Sequence, residues 1–326
     1  MIVFPNAKIN LGLQVLRKRD DGFHDIETIM VPVPLYDGLE VVTVAVGNAG
    51  SFTASGIPVP DDGTPNICLR AYDLMQQYAG NIGKALPPAH IHLHKHIPIG
   101  AGLGGGSSDA AYMLKILSGL LFMHTSGVSN ITRPSQTIIS KNNLITPNSW
   151  GQQSTSLNQA FSDATLHEMA ASLGSDCPFF LYNSTMLATG RGEKLQPINI
   201  PGLHNYVLVL AIPPIHVATA AAYQRLTPAI PSTPLREAIK EPVKHWRHCI
   251  HNDFEPVVFP IHPTIKRLKE TLYEQGAIYA SMSGSGSAVF GLFAKSQAYD
   301  AEKILQIKKI CANLRIHVLQ QIPQHQ

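Results

Sequence analysis

Residues 98–111 read "PIGAGLGGGSSDAA": five glycines and two serines between a proline and a pair of alanines. Glycine in such density costs conformational entropy, so the chain must need the close approach that a backbone without side chains permits. Upstream, "HIHLHKH" (90–96) alternates apolar and polar residues as a strand does, and downstream "SSDAAYMLKILSGLLFM" (107–123) has the apolar content of a buried helix. The glycines therefore stand between a strand and a helix, a context shared by dinucleotide folds, Walker-type phosphate loops and other anion cradles.

Two of these three fail on specific residues. Gly100, Gly102 and Gly105 satisfy G-x-G-x-x-G, but a dinucleotide fold also wants an acidic residue roughly 20 positions on to hold the ribose. No Asp or Glu occurs between Asp109 and Asp163. A Walker loop needs Lys directly before the Ser, and Gly106 occupies that place. What remains is the general physics of a helix N-terminus. Its unpaired N–H groups and positive dipole end favour a phosphate, and Ser108 stands where a nucleotide-bound Mg²⁺ can be reached.

The chain of 326 residues is 44% hydrophobic and 14% charged, long enough for two domains with separate cores. A net charge of +3 without a basic run gives no electrostatic footprint for nucleic acid. Cys68, Cys177, Cys249 and Cys311 are widely spaced and read as reduced thiols. "MIVFPNAKIN" lacks a signal-peptide pattern, and no apolar run approaches a membrane span, so a cytoplasmic protein without a membrane partner is expected.

In "NAKINLGLQV" (6–15), Ala7, Ile9, Leu11, Leu13 and Val15 alternate with Lys8, Asn10, Gly12 and Gln14. The pattern predicts a strand with Lys8 and Asn10 on a face away from the core. A helix is expected over "NICLRAYDLMQQYA" (66–79), and another over "SDATLHEMAASLG", capped by Ser162 or Asp163 and ended by Gly174. "SDCPFFLYNSTMLATGRGEKLQPI" (175–198) reads as a turn and two strands. Residues 124–160 are rich in Ser, Thr, Asn and Gln and read as a mobile insertion. After it come a buried strand in "NYVLVLAIPP", helices in "TAAAYQRL" and "LREAIKEPVKHWRHCI", the amphipathic helix "HPTIKRLKETLYEQG", and a strand, Gly-Ser turn and strand in "AIYASMSGSGSAVFGLF". Interleaved strands and helices place the fold in the α+β or α/β class.

"PIGAGLGGGSSDAA" resembles the phosphate-binding motif of the GHMP kinases. "PNAKINLGLQVLRKRDDGFHDIET" (5–28), "GSDCPFF" (174–180) and "SMSGSGSAVFGLF" (281–293) resemble motifs of the GHMP branch that phosphorylates a cytidine diphosphate-linked methylerythritol in the non-mevalonate isoprenoid pathway. The resemblance implies a two-domain α+β fold with its active site in the inter-domain cleft. It divides the chain into an N-terminal, ATP-binding domain at 1–197 and a C-terminal domain at 198–326. It further implies transfer of the γ-phosphoryl group of ATP, with nucleotide-bound Mg²⁺, to the 2-hydroxyl of the acceptor. A monomer or weak homodimer is expected.

By the same resemblance, Asp176 is the base that takes the hydroxyl proton, and Lys8 helps to orient that hydroxyl. Pro98, Ile99, Gly100, Ala101, Gly102, Leu103, Gly104, Gly105, Gly106, Ser107 and Ser108 hold the ATP phosphates, with Asn66 and Lys95 at the adenine. Asn10 contacts the methylerythritol part, while Phe23, His24 and Tyr223 recognise the cytosine. Many relatives carry Tyr at the place of Phe23. From residue types alone, a turn-capping Asp176, a solvated Lys8 and an ordinary helix-face Tyr223 stay open. His90, His92, His94 and His96 raise the thought of zinc, but their spacing along a strand and the missing Cys or carboxylate favour a solvated face, and no protein metal site is expected. "NDFE" (252–255) and the Gly-Ser turn of "SMSGSGSAV" stay outside the expected site. Other small-alcohol kinases, of mevalonate or homoserine type, are the nearest rival reading; a non-catalytic sensor would be expected to lack Asp176 or Lys8.

Overall fold

The computed structural model describes all residues except 46, 48, 61, 62, 126–161, 296–300 and 320–326. The expected insertion at 124–160 lies almost entirely outside the described residues. The chain forms two compact units interleaved in sequence: residues 1–6, 36–96 and 106–183 in one, and 7–35, 97–105 and 184–326 in the other.

The first unit carries a four-stranded sheet of order β1-β4-β6-β5, formed by β1 (Ile2–Val3), β4 (Gly38–Thr43), β6 (Ala89–Lys95) and β5 (Ser51–Gly56). Ala89, Ile91, Leu93 and Lys95 of β6 are buried, whereas His90 and His94 are exposed, so the expected alternation holds. His90, His92 and His94 hydrogen-bond to Ser51, Thr53 and Ser55 on the neighbouring strand at 2.7–3.0 Å, which is how this polar face is satisfied. Among the described residues this unit holds the helices α1 (Ile67–Asn81), α2 (which starts at Gly105 and runs to Thr125), α3 (Asp163–Leu173) and α4 (Cys177–Tyr182). Ser162 caps α3 through a bond from Thr165 N–H at 3.2 Å, and Gly174 ends it. The stretch 177–182, expected as part of a turn, is the short helix α4. Pro178 sits in its first turn, where its fixed φ and missing N–H suit a helix start.

The second unit holds two antiparallel sheets. One has the order β2-β3-β7-β8, from β2 (Asn6–Lys18), β3 (His24–Tyr36), β7 (Met186–Gly190) and β8 (Lys194–Pro197). The other has the order β10-β11-β9-β12, from β10 (Tyr279–Met282), β11 (Val289–Ala294), β9 (Tyr206–Ile212) and β12 (Arg315–Leu319). Along β9, Leu208, Leu210 and Ile212 pack into one apolar cluster with Ile9, Leu11, Ile29 and Phe290. The alternate residues Val207, Val209 and Ala211 enter another with Leu268 and Leu272 of the helix Pro263–Glu274. This sheet is thus covered on both faces, which explains why β9 reads as a continuous apolar run. "LREAIKEPVKHWRHCI" is broken into short helical turns at Leu235–Ala238, Val243–His245 and Trp246–Cys249, with Pro242 at the break.

Candidate active site

The glycine loop is held in place by the second unit. Lys8 N–H donates to the Leu103 carbonyl at 2.9 Å, and Ala288 N–H donates to the Ala101 carbonyl at 3.1 Å. Ser283 sits between these two attachments: its hydroxyl donates to the Gly102 carbonyl at 2.8 Å and accepts the Asn10 N–H at 3.1 Å. Gly102 has φ +75°, and a Cβ there would collide with the Ser283 carbonyl, so no other residue fits. The loop runs directly into α2, whose second residue, Gly106, is exposed, and a Cβ at Gly106 would meet no described atom within 4 Å. One glycine therefore serves the chain's own packing, while the other keeps space open at a helix N-terminus, where an anion is favoured.

Lys8 and Asn10 lie on the predicted face of β2, but both are buried, at 3% and 2% exposure. The face opposite the apolar core is itself covered, because Ser283 and its turn pack against it. The Lys8 ammonium donates to Asn10 Oδ1, and Asn10 Nδ2 donates to Thr28 Oγ1 at 3.0 Å. Thr28 in turn donates to the Gly12 carbonyl at 2.6 Å. With its proton directed there, the Thr28 oxygen can only accept from Asn10, which fixes the orientation of the amide. Lys8 is thus held at its tip by an oriented side chain, and the solvated-lysine reading falls.

The Gly-Ser turn and "NDFE", both left aside in the sequence, are bonded to each other. Asn252, 1% exposed, donates to the carbonyls of Met282 and Gly284, both at 2.8 Å, and its Oδ1 accepts the Phe254 N–H. Asp253 accepts Val15 N–H at 2.8 Å, and Glu255 accepts Met282 N–H at 2.9 Å. Their signal in the sequence was weak, since each residue also suits a helix N-cap.

Two of the residues expected at the base, His24 and Tyr223, meet in this unit. His24 stacks on Tyr223 with centroids 4.6 Å apart and planes inclined by 19°. Tyr223 meets buried Phe254 edge-on at 4.8 Å. Phe23 is half-exposed, and the Arg191 guanidinium carbon lies 4.8 Å from its ring centroid. Burial, with a smaller contribution from Lys18, lowers the pKa of His24, which favours a neutral ring able both to donate and to accept.

The first unit holds the remaining candidates. Asp176 occupies the N-cap position of α4, and its side chain makes no capping bond to that helix. The start of α2 lies beside the Asp176 motif: a Cβ placed on Gly174 would meet Cys177 Sγ at 3.2 Å and Ser107 Oγ at 3.8 Å. Ser108 is fully buried and its Oγ has no hydrogen-bond partner among the described residues. Asn66 caps α1, accepting Cys68 N–H at 2.9 Å. The Lys95 ammonium is buried between two carboxylates, paired with Asp37 and, at 2.8 Å, with Asp109. Two carboxylates on one ammonium leave a buried negative charge. Desolvation outweighs the pull of Lys95 and pushes Asp109 up to about 8, so a proton neutralises the cluster. Among the described residues no group of three His, Cys, Asp or Glu could hold a metal ion. No described helix is long and apolar enough to cross a membrane.

Residues 66–132 match the family model "GHMP kinases N terminal domain", and residues 235–310 match "GHMP kinases C terminal". The chain is 42% identical over 305 residues to 4-diphosphocytidyl-2-C-methyl-D-erythritol kinase of Parabacteroides distasonis, covering 93% of this chain and 96% of that protein. It is 40% identical over 299 residues to the kinase of the same name from Bacteroides fragilis, covering 91% and 93%. Among solved structures, a 4-(cytidine 5'-diphospho)-2C-methyl-D-erythritol kinase superposes with a TM-score of 0.69 at 27% identity, covering 98% of this chain and 99% of that one. A homoserine kinase from Cytophaga hutchinsonii superposes at 0.61 with 16% identity, covering 98% and 96%, a likeness of fold.

Proposed function

The chain belongs to the 4-diphosphocytidyl-2-C-methyl-D-erythritol kinases of the GHMP kinase family, and we infer that the residues described above carry out its ATP-dependent reaction. It is a small-molecule kinase that phosphorylates this cytidine diphosphate-linked alcohol. The observation that carries our assignment of residues is the loop 100–106, packed tightly at Gly102, open at Gly106 and continuous with a helix N-terminus.

In this reading residues 98–108 hold the ATP phosphates, chiefly through main-chain N–H groups. Asn66 and Lys95 border the adenine. Since the ammonium of Lys95 is held by Asp37 and Asp109, its contribution is made through the main chain and through the anchoring of α2. Bound Mg²⁺ would neutralise phosphate charge. The residue here that suits it is Ser108, whose buried hydroxyl lacks, among the described residues, the partner such a group ordinarily has.

Asp176 accepts the proton of the 2-hydroxyl as that oxygen forms its bond to the γ-phosphorus and the bond to the β-phosphate oxygen breaks, releasing ADP. Lys8, fixed by Asn10, steadies the hydroxyl, and Asn10 lines the methylerythritol part. Phe23, His24 and Tyr223 receive the cytosine. We place the division between sequence domains at 197/198, with the two matched family regions on either side, and we expect a cytoplasmic monomer or weak homodimer. The test is ADP release with Mg-ATP from 4-diphosphocytidyl-2-C-methyl-D-erythritol and from its cytidine-free 4-phosphate. Turnover of the first alone supports the role of Phe23, His24 and Tyr223; equal turnover of both would overturn it.

A further inference from the structure

The turn between β7 and β8 has an arrangement that the phosphoryl transfer does not use. β3 pairs with β7 so that Ile26 lies opposite Gly190, which sets residues 190–193 beside the start of β3. Gly190 and Gly192 both take positive φ, +69° and +114°, one on each side of Arg191. The Arg191 N–H donates to Glu193 Oε2 at 2.6 Å, and a Cβ at Gly190 would press on Glu193 Oε1 at 3.0 Å. Backbone and carboxylate thus close the turn on themselves, and the guanidinium is carried out over the ring of Phe23, 4.8 Å from its centroid. The same charge acts on the hairpin that bears Phe23: Asp21, held below the usual carboxylate range first by Arg19, is lowered further by Arg191. Asp21 also accepts the Phe23 N–H at 3.1 Å, so the main chain of Phe23 is fixed while its ring has no polar atom to anchor it.

We propose that Arg191 is a positioning residue for nucleoside diphosphate recognition, holding one face of Phe23 so that the ring is ready for the base. This rests on the reading of Phe23 as a base contact. A guanidinium suits that role because it lies flat on an aromatic face by cation–π attraction, and its N–H edge stays able to donate to the phosphate oxygens of a nucleoside diphosphate. Here a cation over the face does for a phenyl ring what a hydroxyl would do for a tyrosine.

The test is steady-state kinetics of the full chain, together with calorimetric titration of CDP, on Arg191→Ala, Arg191→Lys and Phe23→Ala. For Arg191→Ala we expect KM for the cytidylyl substrate and Kd for CDP to rise about 2- to 5-fold, the range of an exposed cation–π contact. The kcat and the KM for ATP should stay within about twofold, and Arg191→Lys should recover part of the loss. If Phe23→Ala weakens CDP while Arg191→Ala does not, the proposal fails and the site reading stands. If neither variant weakens CDP, the reading of Phe23 fails and takes the proposal with it. A fall in kcat or Tm at unchanged CDP affinity would make Arg191 a structural residue and overturn the proposal.

Discussion

Ser283 donates its hydroxyl proton to the carbonyl of Gly102, 2.8 Å away and 181 positions earlier in the chain. One hydrogen bond thus joins the two Gly-Ser segments of the sequence. Ser283→Ala would leave the Gly102 carbonyl and the Asn10 N–H without this partner. The expected cost is about 1–3 kcal/mol of stability, read by denaturant titration, with a weaker affinity for Mg-ATP as the loop loses its tether. Unchanged stability and nucleotide affinity would show that the loop holds its shape without Ser283.

The two kinds of glycine in the loop should respond oppositely to alanine. Gly102→Ala places a Cβ against the Ser283 carbonyl at a positive φ, and should destabilise the chain by more than about 2 kcal/mol. Gly106→Ala meets open space on a helix and should leave Tm unchanged or slightly raised. It should nevertheless weaken Mg-ATP binding by at least about tenfold, because its methyl group enters the space assigned to phosphate. Normal ATP affinity in Gly106→Ala would remove the phosphate from that position.

Asp176→Asn keeps the shape of the side chain and removes its capacity to take a proton. A fall in kcat on the order of 10²–10⁴ is expected, with nucleotide binding retained. Turnover close to that of the unaltered enzyme would exclude Asp176 as the base.

Asp109 predicts a pH dependence of stability with an unusual sign. Its ordinary value is 3.8, and in the fold it is pushed up to about 8, chiefly by burial. Between these values the folded state keeps a proton that the unfolded state has released, so stability falls as pH rises through the window and levels off above about 8. The slope from this group is at most about 1.4 kcal/mol per pH unit. Asp109→Asn should abolish that slope, seen as a Tm difference from the unaltered chain that grows in the variant's favour from pH 5 to pH 8. Parallel Tm curves would mean that Asp109 is ionised in the fold. Lys95→Met, by contrast, removes the cation from two buried carboxylates and should cost about 3–5 kcal/mol.

Tyr223→Ala removes the ring on which His24 stacks. Stacking of a base on an aromatic side chain is worth about 1–3 kcal/mol, so KM for the cytidylyl substrate should rise about 5- to 150-fold. The KM for ATP should not follow. Equal losses for both substrates would point to a general disruption of the helix Thr219–Arg225.

Local patterns in the sequence were enough to place β2, β6, α1 and α3, because their alternation or periodicity separates an apolar face from a polar one. They put Lys8 and Asn10 on the right face but did not reveal that it is covered, since alternation reports that a face differs from the core and says nothing about what else packs on it. They also missed the helix at Cys177–Tyr182, where a six-residue segment is too short to display a helical period. The bonding of Asn252 to the Gly-Ser turn spans 30 and 32 positions and has no local signature. The pairing of Lys95 with Asp37 and Asp109 is likewise visible only after the strands have been brought together. Recognition of the motifs nominated the reacting groups, but only the fold shows which of them are held in place, and by what.

The interleaving of the two units has a consequence for synthesis. β2 and β3 are made long before the segments they pack with: Val15 waits for Asp253, 238 positions later, and Ile9 and Leu11 share a cluster with Phe290 and Leu292. The second unit therefore cannot close until nearly the whole chain has emerged. Such long-range closure is slow and leaves early apolar strands uncovered in the meantime. A nascent chain halted near residue 197 should depend on chaperones, and loss of β11 should be felt at β2.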